Sequence, residues 1–308
     1  MTSRDPMAIR LEYRTTLCVY VCVDSNSSSP TVTHVIPRGS EVGGVTSLGD
    51  DVFVVRYNSQ QKIEVYDANT FTLQRHITVP GLGDYSWGLA ACPYNNCLYA
   101  SNGSSSIHRV DLSGSNAVMK WSVARWPVGL SVNSKHNLLV VSVGERKLQI
   151  FTTRGSLLQD IQLQADIEYP RHALQQSTGQ FLVSHSGWSL HRVCLVGVDG
   201  AVVRSYGGQQ GSQLTQMNGP TGLAVDREGR VLVADWWNNR LLVIDQSLSS
   251  AHEMSVSFDG QSGPWSLWYD QSRRRLYIGE CGDWIELRAV RGRVIVIDNL
   301  KDFSACSI

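Results

Sequence analysis

The chain has 308 residues, with 27 Lys+Arg against 27 Asp+Glu and a formal net charge of zero. That balance argues against binding nucleic acid or an acidic membrane through bulk charge. Hydrophobic residues make up 42% and charged residues 18%, a globular composition with no apolar run near the roughly 18 residues of a spanning helix.

The N-terminal stretch from Leu17 to Val23 is apolar but short, and runs into Asp24 without a small-residue cleavage site. It reads as a β-strand rather than a signal peptide. The seven cysteines (18, 22, 92, 97, 194, 281 and 306) form no CxxC pair. Zinc-ribbon and thioredoxin-type sites are therefore not expected. Cys92 and Cys97, at the two ends of CPYNNC, have a spacing that allows them to face each other across a hairpin; the adopted reading is two small buried residues, as reduced thiols. Asn26 and Asn102 fit the glycosylation pattern but carry no weight without a leader. The expected compartment is the cytoplasm.

From residue 37 onward one pattern recurs: a leucine anchor, a few residues, then a β-run that ends at a small residue followed by a polar one. The aligned anchors are Leu48, Leu89, Leu130, Leu174, Leu223 and Leu267, spaced 41 to 49 residues apart. Six copies at that period indicate a propeller or a β-solenoid. The fifth copy offers four short strands, Leu223–Asp226, Val231–Ala234, Leu241–Asp245 and Glu253–Phe258, divided by Gly, Asn and Asp turn residues. Four antiparallel strands per unit make a propeller blade. The last copy has Leu267–Asp270, Leu276–Gly279 and Val294–Asp298 but no fourth strand. Val32–Ile36, in VTHVIP, matches the outer strand HITVP of the first blade and is assigned to close the ring. The expected fold is all-β: a single six-bladed propeller domain over residues 1–308, with repeats over about 37–298 and an extension at 1–31.

GPTGLAVDREGRVLVADWWNNRLLVID, residues 219–245, resembles an NHL repeat, and the six units together resemble a six-bladed NHL propeller. The fifth unit carries the specific match and the others are degenerate. Such propellers commonly form the C-terminal part of tripartite-motif proteins, so the resemblance implies a binding module. No zinc-spaced cysteines or heptads of those proteins' other segments occur here.

Strand order places the second-to-third and fourth-to-first loops on one rim, the top. Two rings are expected there. The first follows each second strand: Arg56, Asn102, Val143, His185, Asp235 and Glu280. The second lies two residues before each anchor: Thr46, Trp87, Val128, His172, Thr221 and Trp265, with Arg171 beside His172. Six-bladed hydrolases of the paraoxonase and lactonase type hold calcium with Glu, Asn and Asp at the inner mouth, which makes Asn102, His185, Asp235 and Glu280 candidates. Arg56 and Val143 in the same ring oppose a divalent ion. Amidating-lyase propellers, also NHL-like, gather several channel histidines around zinc. Only His172 and His185 occupy comparable rings, and zinc catalysis needs three protein ligands.

The adopted reading is a monomeric binding scaffold with a protein partner and no membrane contact. Binding is assigned to Trp188, Trp236, Trp237, Trp284, Arg171, His172 and Arg240. Arg56, Asn102, His185, Asp235 and Glu280 are assigned to the channel mouth. Loop tryptophans exposed to water suit an interface, whereas Trp87 and Trp265 suit wedges between blades. No catalytic residue, metal ligand or cofactor is assigned. Two alternatives stay open: a metal-dependent hydrolase or lyase using calcium or zinc at the mouth, and single-stranded RNA binding. Top-loop charges are near balance, so strong counterion-release binding is not expected. Arg273-Arg274-Arg275 falls in a bottom hairpin and reads as a solvated turn.

Overall fold

The computed structural model describes residues 32–57, 59–83, 86–258, 262–282, 292–298 and 300. Leu17–Val23 and Trp284 lie outside the described residues. Six four-stranded antiparallel sheets form the blades of a propeller. From the inside outward, blade 1 has Val42–Leu48, Asp51–Arg56, Lys62–Asp67 and Leu73–Thr78. Blade 2 has Leu89–Cys92, Cys97–Ser101, Ser106–Asp111 and Val118–Ser122. Blade 3 has Pro127–Val132, Leu138–Ser142, Lys147–Phe151 and Leu157–Gln162. Blade 4 has Pro170–Gln175, Phe181–Ser186, His191–Val196 and Val202–Gly208. Blade 5 has Pro220–Val225, Val231–Asp235, Arg240–Ile244 and Ala251–Met254. Its outer strand thus begins two residues before the expected Glu253 and ends at Met254, because Ile244 pairs with Ala251 directly after the Asp245 turn.

Blade 6 takes Ser262–Asp270, Arg275–Gly282 and Gly292–Ile297 from the C-terminal end of the chain and Val32–Gly39 from the N-terminal side. Val35 pairs with Ile295 and Ile36 with Val294, so the expected closing strand is in place. Ile36 is fully buried beside Val42, Tyr277 and Val296. The ring therefore closes through side-chain packing as well as ladder hydrogen bonds, and Val32–Gly39 covers what would otherwise be the open edge of Gly292–Ile297.

Second strands are buried on both faces, as in DVFVVR, CLYAS and VLVAD. Each of the six blade interfaces has its own apolar cluster. Outer strands are mostly exposed, which explains their weak sequence signal. Bottom hairpins are tied by side-chain turns. Asp226 accepts the backbone N–H groups of Glu228 and Arg230, and Asp270 those of Ser272 and Arg273. Cys92 and Cys97 are register partners in such a hairpin, and both are free thiols. In the arginine triplet, Arg273 pairs with Asp50 and Asp270, and Arg275 with Asp298, so that turn is more ion-paired than solvated. Among the described residues no helix is long and apolar enough to cross a membrane.

Candidate functional site

The strand register corrects both expected rings. In blade 5 the anchor Leu223 pairs with Val233, and in blade 6 Leu267 pairs with Ile278. The equivalent pairs are Val45–Val54 in blade 1 and Ala173–Val183 in blade 4. The anchors are therefore Val45 and Ala173 rather than Leu48 and Leu174. The second ring becomes Gly43, Trp87, Val128, Arg171, Thr221 and Trp265, with Arg171 replacing His172 and Gly43 replacing Thr46. In blade 3 the first-ring residue becomes Ser142, which pairs with Pro127 as Asp235 pairs with Pro220.

A β-bulge accounts for the shift. The inner strands of blades 1, 3, 4, 5 and 6 each break register near the top, at Gly43, Val128, Arg171, Thr221–Gly222 and Trp265. An extra residue re-aims side chains and defeats simple alternation. The sequence did contain a marker: Val128, Arg171, Thr221 and Trp265 each directly follow a proline. Proline has no N–H to donate to the ladder, so it suits the first position of a strand.

All six corrected ring residues line a central cavity of about 490 Å³. Glycines hold the inner strands close below them. A Cβ on Gly129 would lie 2.4 Å from the Arg171 carbonyl oxygen, and one on Gly222 would lie 2.7 Å from that of Trp265. The Arg171 guanidinium sits over the Trp265 ring at 5.8 Å, and Trp265 lies 5.4 Å from Trp87. His172 is fixed between blades: its Nδ1 accepts the Leu223 N–H at 3.1 Å and its Nε2 faces the Leu130 carbonyl at 3.1 Å. Those bonds require the neutral ring, and burial lowers its pKa in the same sense. Both nitrogens are engaged, so His172 has none to offer a ligand.

The first ring is largely satisfied internally, the exception being the buried His185 Nδ1, which has no hydrogen-bond partner. The Glu280 carboxylate takes two hydrogen bonds from Arg293, at 2.6 and 3.0 Å, with side-chain exposures of 0% and 4%. Asp235 accepts from Arg240 Nε at 2.8 Å, Asn238 Nδ2 at 2.7 Å and the Asn218 N–H at 2.7 Å. Burial raises its pKa against those bonds. Arg240 also donates to the carbonyls of Ser212, Gln213 and Gln216. It organises a top loop and is buried, in contrast to the exposed binding residue expected. Arg56 donates to Glu64 at 2.7 Å and to the Ser40 and Gly292 carbonyls. Asn102 caps its own loop, accepting from the N–H groups of Ser104, Ser105 and Ser106. His185 Nε2 accepts from Arg192 Nε at 2.8 Å. Burial and that neighbouring cation push the imidazole down to about 4. Arg56, His185, Asp235 and Glu280 thus pair within their own blades instead of meeting at an open mouth. Among the described residues no three His, Cys, Asp or Glu side chains form a group that could hold a metal.

The tryptophans divide. Trp236, expected in water, is only 7% exposed. Its indole N–H donates to the Cys281 carbonyl, and its ring meets Trp265 edge-on at 5.0 Å, so it wedges blade 5 against blade 6. Trp237 stacks outside it and is 45% exposed, while Trp188 is 85% exposed. Two residues outside the expected set join them on the top loops: Trp126 at 51% and Tyr169 at 42%. Trp126, Tyr169, Trp188 and Trp237 come from the consecutive blades 3 to 5. Trp126 and Tyr169 each precede the first proline of an inner strand, with φ of 56° and 45°. Blade 5 places Gly219, φ 71°, at that position. A left-handed conformation is natural for glycine and uncommon for an aromatic residue.

The NHL repeat family model matches residues 217–244. Protein brain tumor of Drosophila melanogaster is 24% identical over 136 residues, which is 42% of this chain and 12% of that protein. The matched region therefore spans about an eighth of that relative's length. Hydrazine synthase of Kuenenia stuttgartiensis superposes with a TM-score of 0.58 at 17% identity, covering 84% of this chain and 77% of that one. Virginiamycin B lyase from Staphylococcus aureus gives 0.58 at 11% identity, covering 82% and 84%. At such identity these two likenesses speak to the fold alone. The chain is thus a six-bladed β-propeller with an NHL repeat at residues 217–244, and is similar over part of its length to protein brain tumor.

Proposed function

We propose that the chain is a binding scaffold whose top face engages a protein. The observation that carries this reading is the arc of Trp126, Tyr169, Trp188 and Trp237, two of them held exposed in a backbone conformation where blade 5 uses glycine. Left-handed backbone costs a non-glycine residue about 1–2 kcal/mol, and such outliers gather where function requires them. Exposed aromatics on loops of a rigid scaffold suit interface anchors. Charge favours protein over nucleic acid, because Arg56, Lys147, Arg240 and Arg293 on or near this rim are paired with carboxylates of the chain itself.

The test is capture from cell extract followed by affinity measurement with the partner recovered. Trp188→Ala and Trp126→Gly should each weaken binding at least about tenfold, or ~1.4 kcal/mol. Neither should lower the melting temperature. Tyr94→Ala, on the bottom and 75% exposed, should leave binding unchanged. Binding that survives both top-face changes refutes the protein reading. A single-stranded RNA bound with a steep salt dependence and lost in Trp188→Ala would replace it.

A further inference from the structure

The top of the channel is built asymmetrically. Its ring contributes Gly43, Val128 and Thr221 on some blades, and two indoles and one guanidinium on the others. Among the described residues lining the cavity there is no Asp, Glu or Lys, and Arg171 is the one permanently charged group. Arg171 Nε is buried without a hydrogen-bond partner. Arg171 is half-buried, and among the described residues no carboxylate lies within ion-pair distance of its guanidinium, whereas the buried Arg56, Arg240 and Arg293 each have one. The Trp265 ring lies beside it, a contact that compensates a cation only in part. An unpaired charge in an apolar cavity is costly, and an anion is what would relieve it. A guanidinium presents five donors in a planar fork that matches a carboxylate in two-point contact.

We infer that the channel mouth is a binding site for a carboxylate carried on an apolar or aromatic body, with the carboxylate on the Arg171 fork and the body against Trp87 and Trp265. A cavity of about 490 Å³ suits a ligand of that kind. It falls within the range of ~300–1,000 Å³ typical of small-molecule pockets. The two oxygens of a carboxylate can occupy the guanidinium while its body replaces water along the Trp, Val, Leu and Gly part of a wall that also carries Ser and Gln side chains. The site is separate from the rim arc and does not depend on a protein being bound there. Two sources share this chemistry: a free aryl acid, and the C-terminal residue of a peptide threaded into the mouth.

Calorimetric titration of the full chain tests the inference with defined probes. 3-Phenylpropionate should bind, and its neutral isostere 3-phenylpropionamide should bind at least tenfold more weakly. Because that comparison uses the unaltered protein, no folding defect can mimic it. Arg171→Gln, checked for an unchanged melting temperature, should remove the preference for the acid. A tetrapeptide ending in Phe with a free carboxylate, set against its C-terminal amide, separates the sources. Tighter binding of the free-carboxylate peptide than of 3-phenylpropionate assigns the site to a chain terminus, and weaker binding assigns it to a small acid. Equal binding of acid and amide, or an acid affinity unchanged in Arg171→Gln, overturns the inference. Inorganic phosphate displacing 3-phenylpropionate at equal concentration overturns the carboxylate assignment. None of these readouts involves the rim partner, so the two readings fail independently.

Discussion

The two rings at the top of the propeller carry opposite lessons. The ring that follows the second strands is rich in ionisable residues, yet Arg56, His185, Asp235 and Glu280 are bound to Glu64, Arg192, Arg240 and Arg293 of their own blades. The ring on the inner strands is nearly apolar, yet among the described residues it holds the one guanidinium that lines the channel, and that group has no carboxylate. Charge density in the sequence therefore marked the part of the mouth that serves folding. The open site lies where charge is sparse. A buried ion is costly unless paired, so the fold surrounds most of them with partners, and an exception is informative.

That contrast can be tested from the strongest effect downward. Glu280→Ala should be the most damaging, because it leaves Arg293 buried without its carboxylate. A loss of about 3–5 kcal/mol in denaturant unfolding is expected. Little loss would mean that the first ring is hydrated after all. Trp236→Ala should cost about 3 kcal/mol or more by opening a cavity between blades 5 and 6. Trp188→Ala, one blade earlier, should stay within about 0.5 kcal/mol of wild type. Equal effects of the two would erase the distinction between wedge and rim.

Acid stability is the next test. His185 and His108 are both fully buried, with pKa values pushed down to about 4, chiefly by burial. An unfolded histidine titrates near ~6.5. The unfolded chain thus binds more protons between these values, and stability present above about pH 6.5 is lost as pH falls toward 4. Each histidine adds up to ~1.4 kcal/mol per pH unit within that window. His108→Phe should flatten the slope by about one histidine's share. An unchanged slope would show that His108 is already protonated in the folded protein. The smallest expected stability change is that of Trp126→Gly, which removes a left-handed tryptophan and should therefore not destabilise.

Much of the fold was legible in residues alone. The repeat spacing, the four-strand unit and the match of VTHVIP to an outer strand are local patterns, and each blade repeats them. Boundaries slipped at the inner strands, which begin at Pro220 and Ser262 ahead of their leucine anchors, and at outer strands, where exposed residues such as those of Leu157–Gln162 carry little periodic signal. The site was legible less well. Trp188, Trp236 and Trp237 looked alike as loop tryptophans, but Trp236 finds the Cys281 carbonyl and Trp265 across a blade interface that no local pattern encodes. Trp126 and Tyr169 were missed as an aromatic pair because their shared left-handed backbone is visible only beside Gly219.

The sequence by itself determined the number of blades, the strand order within them and the closing role of the Val32 segment. These follow from alternation, turn residues and period, all readable along one dimension. The tertiary structure alone decided which ionisable groups of the mouth are paired and that Arg171 faces the channel without a carboxylate. A single-residue bulge at the top of the inner strand moves Arg171, rather than His172, into the ring. The neighbouring blades then fix His172 through the Leu130 carbonyl and the Leu223 N–H. A shift of one residue exchanges the two faces of a strand, and only packing against the adjacent blades fixes that choice.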